Sequence, residues 1–174
     1  LCYRPDSVDG ARRNCLHPTS QWRLIEPSVM IELTYQLLDT NALVERATSP
    51  AVGAVVLFLG VTRQFSDGRE TVQLQYEAYE KMARLELSLL EEEARNRWPI
   101  SECLIAHRLG LVPLGEVSVA IVTASAHRGD AFAAGQWLID SLKESVPIWK
   151  QEHWTDGSTD WIHPRNKKPP LDNR

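Results

Sequence analysis

VGAVVLFL, residues 52–59, lies between Pro50 and Gly60 and decides the fold class. Its almost unbroken run of apolar and β-branched side chains has the length of a strand rather than a helix. A strand without polar alternation is one covered on both faces. The reading places it at the centre of a sheet. On its N-terminal side, Met30–Leu38 alternates through Ile31, Leu33, Tyr35 and Leu37 as a strand. Asp39, Thr40 and Asn41 then cap a short helix through Ala47 that ends at Ser49-Pro50. On its C-terminal side, the turn signal Ser66-Asp67-Gly68 leads to the alternating strand Thr71–Tyr76, expected to pair with residues 52–59.

Tyr79–Trp98 carries the strongest helical period, with Met82, Leu85, Leu89, Leu90 and Trp98 expected inward and Glu80, Arg84, Glu91, Glu92 and Arg95 outward. Pro99 closes it. Cys103–Ala106 and Val117–Ala124 read as strands joined by the connection LGLVPLGE. Asp130–Ser145 is a second long helix with Phe132, Trp137, Leu138 and Leu142 inward. Pro147 stops it, and Ile148–Trp154 is a last strand before the turn Asp156-Gly157-Ser158 and Trp161. This order predicts an α+β sandwich, a mostly antiparallel sheet with helices on one face. Residues 1–28 show no sustained apolar period and read as a flexible leader; the folded domain spans 29–165, and 166–174 is a polar tail.

The 174 residues suffice for one core without disulfide staples, and no apolar run approaches the roughly 18 residues of a membrane span. Cys2, Cys15 and Cys103 form no CxxC pair, which argues against a disulfide scaffold and a cysteine zinc site. The formal charge is −4, so the average surface repels nucleic-acid phosphates, and an anion site needs a local concentration of cations. The first 26 residues lack the apolar core of a secretory signal, although Arg4, Arg12, Arg13 and Arg23 lend them a faint transit-peptide character. The expected location is the cytoplasm, with Met30 as the expected native start.

No GxSxG, GxxxxGK[ST], HExxH or GxGxxG signature occurs. His17, His107, His127, His153 and His163 show no metal-ligand spacing, which leaves a metal-dependent hydrolase weak. What the chain offers is cations where regular elements end: Arg63, His107-Arg108, His127-Arg128, Lys143 and Lys150. Each has an ordinary reading: a solvated charge, a complement to a helix C-terminus for Lys143, or for His107-Arg108 a buried pair or a bridge to Glu116. His127-Arg128 follows the small residues Ala124-Ser125-Ala126 and precedes Asp130, where a helix N-terminus can hold an anion. Residues 76–79 (YEAY) read as packing and capping. Lys143 and Lys150 cannot share a helix across Pro147. If a turn brings them together, each depresses the other's pKa, one route to a lysine base or nucleophile. By themselves these residues support an anion-binding pocket, with or without catalysis.

The collinear motifs GAVVLFLGVTR (53–63), LQYEAYEKMA (74–83), HRLGLVPLGE (107–116), SAHRGDAF (125–132) and IDSLKESVPIWKQE (139–152), with Trp161, closely resemble the catalytic large subunits of molybdopterin synthase. The resemblance runs from about Met30 to Arg165. It implies an α/β hammerhead-type sandwich with an added β subdomain. It also implies an enzyme of molybdenum cofactor biosynthesis that converts cyclic pyranopterin monophosphate to molybdopterin by installing two dithiolene sulfurs. No resident cofactor or metal is implied. Sulfur would arrive on the C-terminal Gly-Gly thiocarboxylate of a small ubiquitin-like subunit whose tail enters a pocket of the large subunit. Two large subunits would form a homodimer within a heterotetramer.

By position, Lys143 matches the lysine beside the incoming thiocarboxylate and Lys150 the second active-site lysine. Arg63, His127 and Arg128 match substrate-pocket residues, and Phe58 an aromatic near the tail channel, where Ile139 stands in place of the Met of some members. Arg165 matches an arginine supplied by the neighbouring protomer. Cys103 lies mid-strand among apolar neighbours, which fits an external sulfur donor. The alternative from a different class is a noncatalytic anion- or nucleotide-binding regulatory domain.

Overall fold

The computed structural model describes residues 30–162, so the leader over 1–28, Arg165 and the tail over 166–174 lie outside the described residues. The order is β1 (Met30–Thr34), α1 (Thr40–Ala47), β2 (Ala54–Val61), β3 (Phe65–Ser66), β4 (Arg69–Ala78), α2 (Glu80–Arg97), β5 (Ile100–Arg108), β6 (Gly110–Pro113), β7 (Val117–Ser125), α3 (Arg128–Ser145), β8 (Ile148–Trp154) and β9 (Thr159–Ile162). The predicted order holds, with β3, β6 and β9 as additions. Asp39 caps α1, its Oδ1 accepting from the Ala42 N–H at 3.0 Å. Asp67 and Gly68 both take positive φ, as the two-residue β3–β4 hairpin turn requires.

Strand alternation sends successive side chains to opposite faces, and on β5 and β7 both faces are apolar. Cys103, Ile105, Val119 and Ile121 meet Leu87 and Leu90 of α2 and Leu138 and Leu142 of α3. Leu104, Ala106, Ala120, Val122 and Ala124 meet Leu43 and Ala47 of α1. The covering helices of the predicted sandwich are therefore α2 and α3, while the short α1 seals the opposite face. Gly135 lets α3 approach β7 closely: a Cβ there would stand 3.2 Å from Thr123 Oγ1. That hydroxyl donates to the Ala131 carbonyl at 2.8 Å.

The first sheet runs β1-β5-β7-β2, antiparallel except for β1 with β5. The second runs β3-β4-β8-β9, with β6 also on β4. Two expectations for residues 52–59 fail here. β2 is the outer strand of its sheet, and it pairs with β7 rather than with β4. An apolar run reports cover on its two faces, which β2 has through Val55 and Leu57 on one side and Phe58 on the other. It does not report lateral position. At Gly60/Val61 the register shifts, and the chain leaves for the second sheet. β1 also stops at Thr34, leaving Tyr35 and Leu37 exposed, and part of the LGLVPLGE connection is strand β6.

The face expected of α2 is also corrected. Met82, Leu85 and Leu89 are exposed, and the buried stripe is Ala83, Leu87, Leu90, Glu91 and Ala94. Alanines at 83 and 94 bring the helix close to the sheet, and Glu91 is tolerated because Arg95 Nε pairs with it one turn on. Phe132 of α3 is likewise exposed, while Ala131, Ala134 and Gly135 pack inward. Deleting buried side-chain volume is costly where exposed truncation is not. Leu87→Ala is thus expected to lower stability by about 2–5 kcal/mol, and Leu85→Ala and Leu89→Ala by less than about 1 kcal/mol, read from urea unfolding midpoints.

Candidate active site

Helix α3 ends at the C-cap Val146, whose N–H donates to the Leu142 carbonyl at 3.2 Å, and Pro147 prevents its continuation. Strand β8 starts at once. Lys143 therefore occupies the last helical turn and Lys150 the third position of the strand, and both line a cleft of about 790 Å³ between the two sheets. That volume falls in the range of small-molecule sites. Phe58, Arg63 and Ile139 line the same cleft. Lys143 Nζ stands 6.0 Å from the Phe58 ring centroid, at the outer limit of a cation–π contact.

Two predicted residues are not brought to this cleft. His127 is the N-cap of α3 and Arg128 its first residue, whereas Lys143 lies at the opposite end. At 1.5 Å per residue, Arg128 and Lys143 are separated by roughly 23 Å along the helix. Arg165 lies outside the described residues.

The cleft is also less cationic than the pattern of basic residues predicts, because Asp140, Glu144 and Glu152 line it too. Glu152 is buried at 2% exposure, and its Oε1 accepts from Lys150 Nζ at 2.6 Å and from Ser66 Oγ at 3.4 Å. The signal was present in the sequence: Lys150 and Glu152 are two apart on a strand and so share a face. Beside them, Tyr76 and His107 meet edge to face at 4.9 Å between centroids. Tyr76 packs against the core as expected and also lines the cleft. Burial raises its pKa, opposed by a hydrogen bond with Ser118 and assisted by the Glu152 charge. Burial lowers His107 to about 4, opposed by its bond to the Arg108 carbonyl, so the ring is neutral at pH 7. Cys103, buried in the core, is pushed by burial to about 12 and stays a thiol. Among the described residues no group of three His, Cys, Asp or Glu is placed to hold a metal ion, and no helix is long and apolar enough to cross a membrane.

The family model described as MoaE protein matches residues 33–145. This chain belongs to the MoaE family. It is 33% identical over 178 residues to the molybdopterin synthase catalytic subunit of Emericella nidulans, covering 94% of this chain and 91% of the relative. The catalytic subunit of Rattus norvegicus is 39% identical, covering 83% of this chain and 72% of its own. The solved molybdopterin synthase of Staphylococcus aureus superposes with a TM-score of 0.71 at 36% identity, covering 75% of this chain and 95% of that one. A complex of subunits 1 and 2 of molybdopterin-converting factor from Helicobacter pylori shares the fold, with a TM-score of 0.62 at 24% identity over 82% of this chain and 94% of that one. The relatives are catalytic subunits, so this MoaE-family chain is read as an enzyme and not as a regulatory binding domain.

His107 gives this MoaE-family chain a pH dependence. With its folded pKa near 4 and its ordinary value at 6.5, the unfolded chain binds a proton that the folded chain does not. Its contribution is complete above pH 6.5 and is lost as pH falls toward 4, a difference of about 3 kcal/mol. Urea midpoints between pH 7 and 4.5 should fall less steeply in His107→Gln than in wild type.

Proposed function

We propose that this chain converts cyclic pyranopterin monophosphate to molybdopterin, taking sulfur from the C-terminal thiocarboxylate of a small ubiquitin-like partner ending in Gly-Gly. The observation that carries this reading is the convergence of Lys143 and Lys150 with Arg63, Phe58 and Ile139 on one cleft. Phe58 and Ile139 supply apolar walls for an extended tail, and the amine of Lys143 stands among them at a helix end whose backbone is fixed by buried Leu138 and Leu142. In that position it serves either as a nucleophile toward the tail's carbonyl or as a proton donor that stabilises developing negative charge. Lys150, held by Glu152, supplies fixed positive charge for an anionic substrate. A small-subunit partner is supported by the Helicobacter pylori complex, an assembly of subunits 1 and 2.

His127 and Arg128 enter this reading through a second copy. Their distance along α3 keeps them from the cleft that holds their own Lys143, so they bind substrate in the cleft of a neighbouring protomer, together with Arg165. The assembly is then a homodimer of large subunits with a small subunit on each. The proposed site of action is the cytoplasm.

The test is single-turnover conversion of the cyclic pyranopterin monophosphate with thiocarboxylated partner. Lys143→Ala is expected to keep the fold and the partner complex while losing at least about 100-fold in rate. Lys150→Ala is expected to lose less. Wild-type rates in Lys143→Ala overturn the mechanism, whereas near-normal rates in Lys143→Arg exclude the covalent version alone, because a guanidinium stays protonated. Sedimentation should report a dimer of the large subunit at micromolar concentration, and a fully active monomer contradicts the shared site.

A further inference from the structure

The cleft has one thick wall and two thin ones. Phe58, His107 and Lys143 stand on elements of the main core, whereas Arg63 comes from the loop before the β3–β4 hairpin and Ile162 from β9. β9 is a four-residue edge strand with three exposed residues, and short edge strands are the first part of a sheet to open. Ile162 pairs directly with Lys150. Whatever holds β9 in place therefore also holds the strand beside Lys150.

Besides its backbone pairing with β8, β9 is fastened by a side chain on β4. Arg69 donates to Asp160 Oδ2 at 2.6 Å, to Asp156 Oδ2 at 3.2 Å and to Ser158 Oγ at 2.7 Å. Its guanidinium carbon lies 4.1 Å from the Trp154 ring centroid, and Trp154 Nε1 donates to the same Asp160 Oδ2 at 2.8 Å. The neighbours of Arg69 bind the other thin wall. Thr71 N–H donates to the Gln64 carbonyl at 2.7 Å, and Gln64 Nε2 to Glu70 Oε1 at 2.8 Å, directly after Arg63. An isolated exposed ion pair would do little here. A planar fork that meets two carboxylates, a hydroxyl and an indole face at once is constrained in every direction.

We propose that Arg69 is a positioning residue that sets the gap between the Arg63 wall and the Lys150 wall of the cleft, and thereby the fit of the anionic substrate. This rests on the function proposed above. Arg69, Asp156 and Asp160 do not line the cleft, so the effect passes through Ile162, two residues beyond Asp160 on the same strand face, and through the Gln64 loop.

The test uses the full chain with its thiocarboxylated partner. Arg69→Ala and Asp160→Asn are each expected to raise KM for the cyclic pyranopterin monophosphate about fivefold or more, with kcat within about twofold of wild type. Arg69→Lys, which keeps the charge but not the fork, should fall between. Amides of residues 159–162 should exchange hydrogen faster in these variants, while those of α3 and β7 keep wild-type rates. Lys150 should also be acylated faster by an amine-reactive reagent, read by mass spectrometry. Wild-type KM in both Arg69→Ala and Asp160→Asn overturns the proposal, as does a fall in kcat at constant KM, or unchanged exchange at 159–162. If wild type turns over no substrate, the functional reading fails, and exchange and acylation still decide the role of Arg69. Should Arg69→Ala fail to fold, Asp160→Asn and Arg69→Lys decide it.

Discussion

Proline at 147 has no amide hydrogen and turns the residue before it away from helical geometry, so α3 must stop within a turn of Lys143. The break is fixed on both sides: the Val146 N–H donates back to Leu142, and the Pro147 carbonyl accepts from the Tyr79 N–H at 3.2 Å. On a continuing helix, two lysines seven residues apart would lie on one face, with no cleft between them. The break puts them on different elements instead. It also starts β8 at the point where Ala78 and Tyr76 of β4 take up register with Ile148 and Lys150, so the same constraint joins the second sheet to the first.

The charges of the cleft follow from what burial allows. His107 and Tyr76 sit where water is largely excluded, and burial keeps both rings neutral. Glu152 is as buried as His107 and is compensated by Lys150, because an unpaired carboxylate at that depth would cost several kcal/mol. Arg63, Lys143 and Lys150 are thus matched in number by Asp140, Glu144 and Glu152. A cleft so balanced is weakly attractive to two anions at once. The proposed reaction brings together a phosphate ester and a thiocarboxylate, and this is the electrostatic argument for the proposal that a second protomer adds cations.

Much of this was legible in the sequence. Pro50, Pro99 and Pro147 mark element boundaries in the sequence and in the structure, β2 runs one residue past Gly60, and the helix spans agree to within about two residues. Lys143, Lys150, Arg63, Phe58 and Ile139 were legible through motif resemblance and meet in one cleft. What was not legible shares a cause: a linear pattern ranks residues by hydrophobicity, while packing ranks them by shape and partner. Ala83 and Ala94 bury because they are small, and Leu85 and Leu89 stay exposed because the opposite face of α2 meets the sheet. Glu91 and Glu152 bury because a cation accompanies each. Strand order in a sheet has no local signature at all, which is why β2 reads as central when β5 and β7 hold that place.

The same distinction separates the groups of the site by how firmly they are held. Lys143 projects from a helix whose last turns are packed by Leu138, Ile139 and Leu142, and Lys150 lies on a strand paired on both sides. Arg63 is exposed on a loop. The proposed sulfur transfer requires reacting atoms held to a fraction of an ångström, and Lys143 stands on an element able to do that, with the charge of Lys150 fixed beside it. Capture of an anion requires only charge within reach, which a long side chain on a loop provides. Under the proposed reaction, the stiff elements would serve the bond-making step and the exposed loop the collection of substrate.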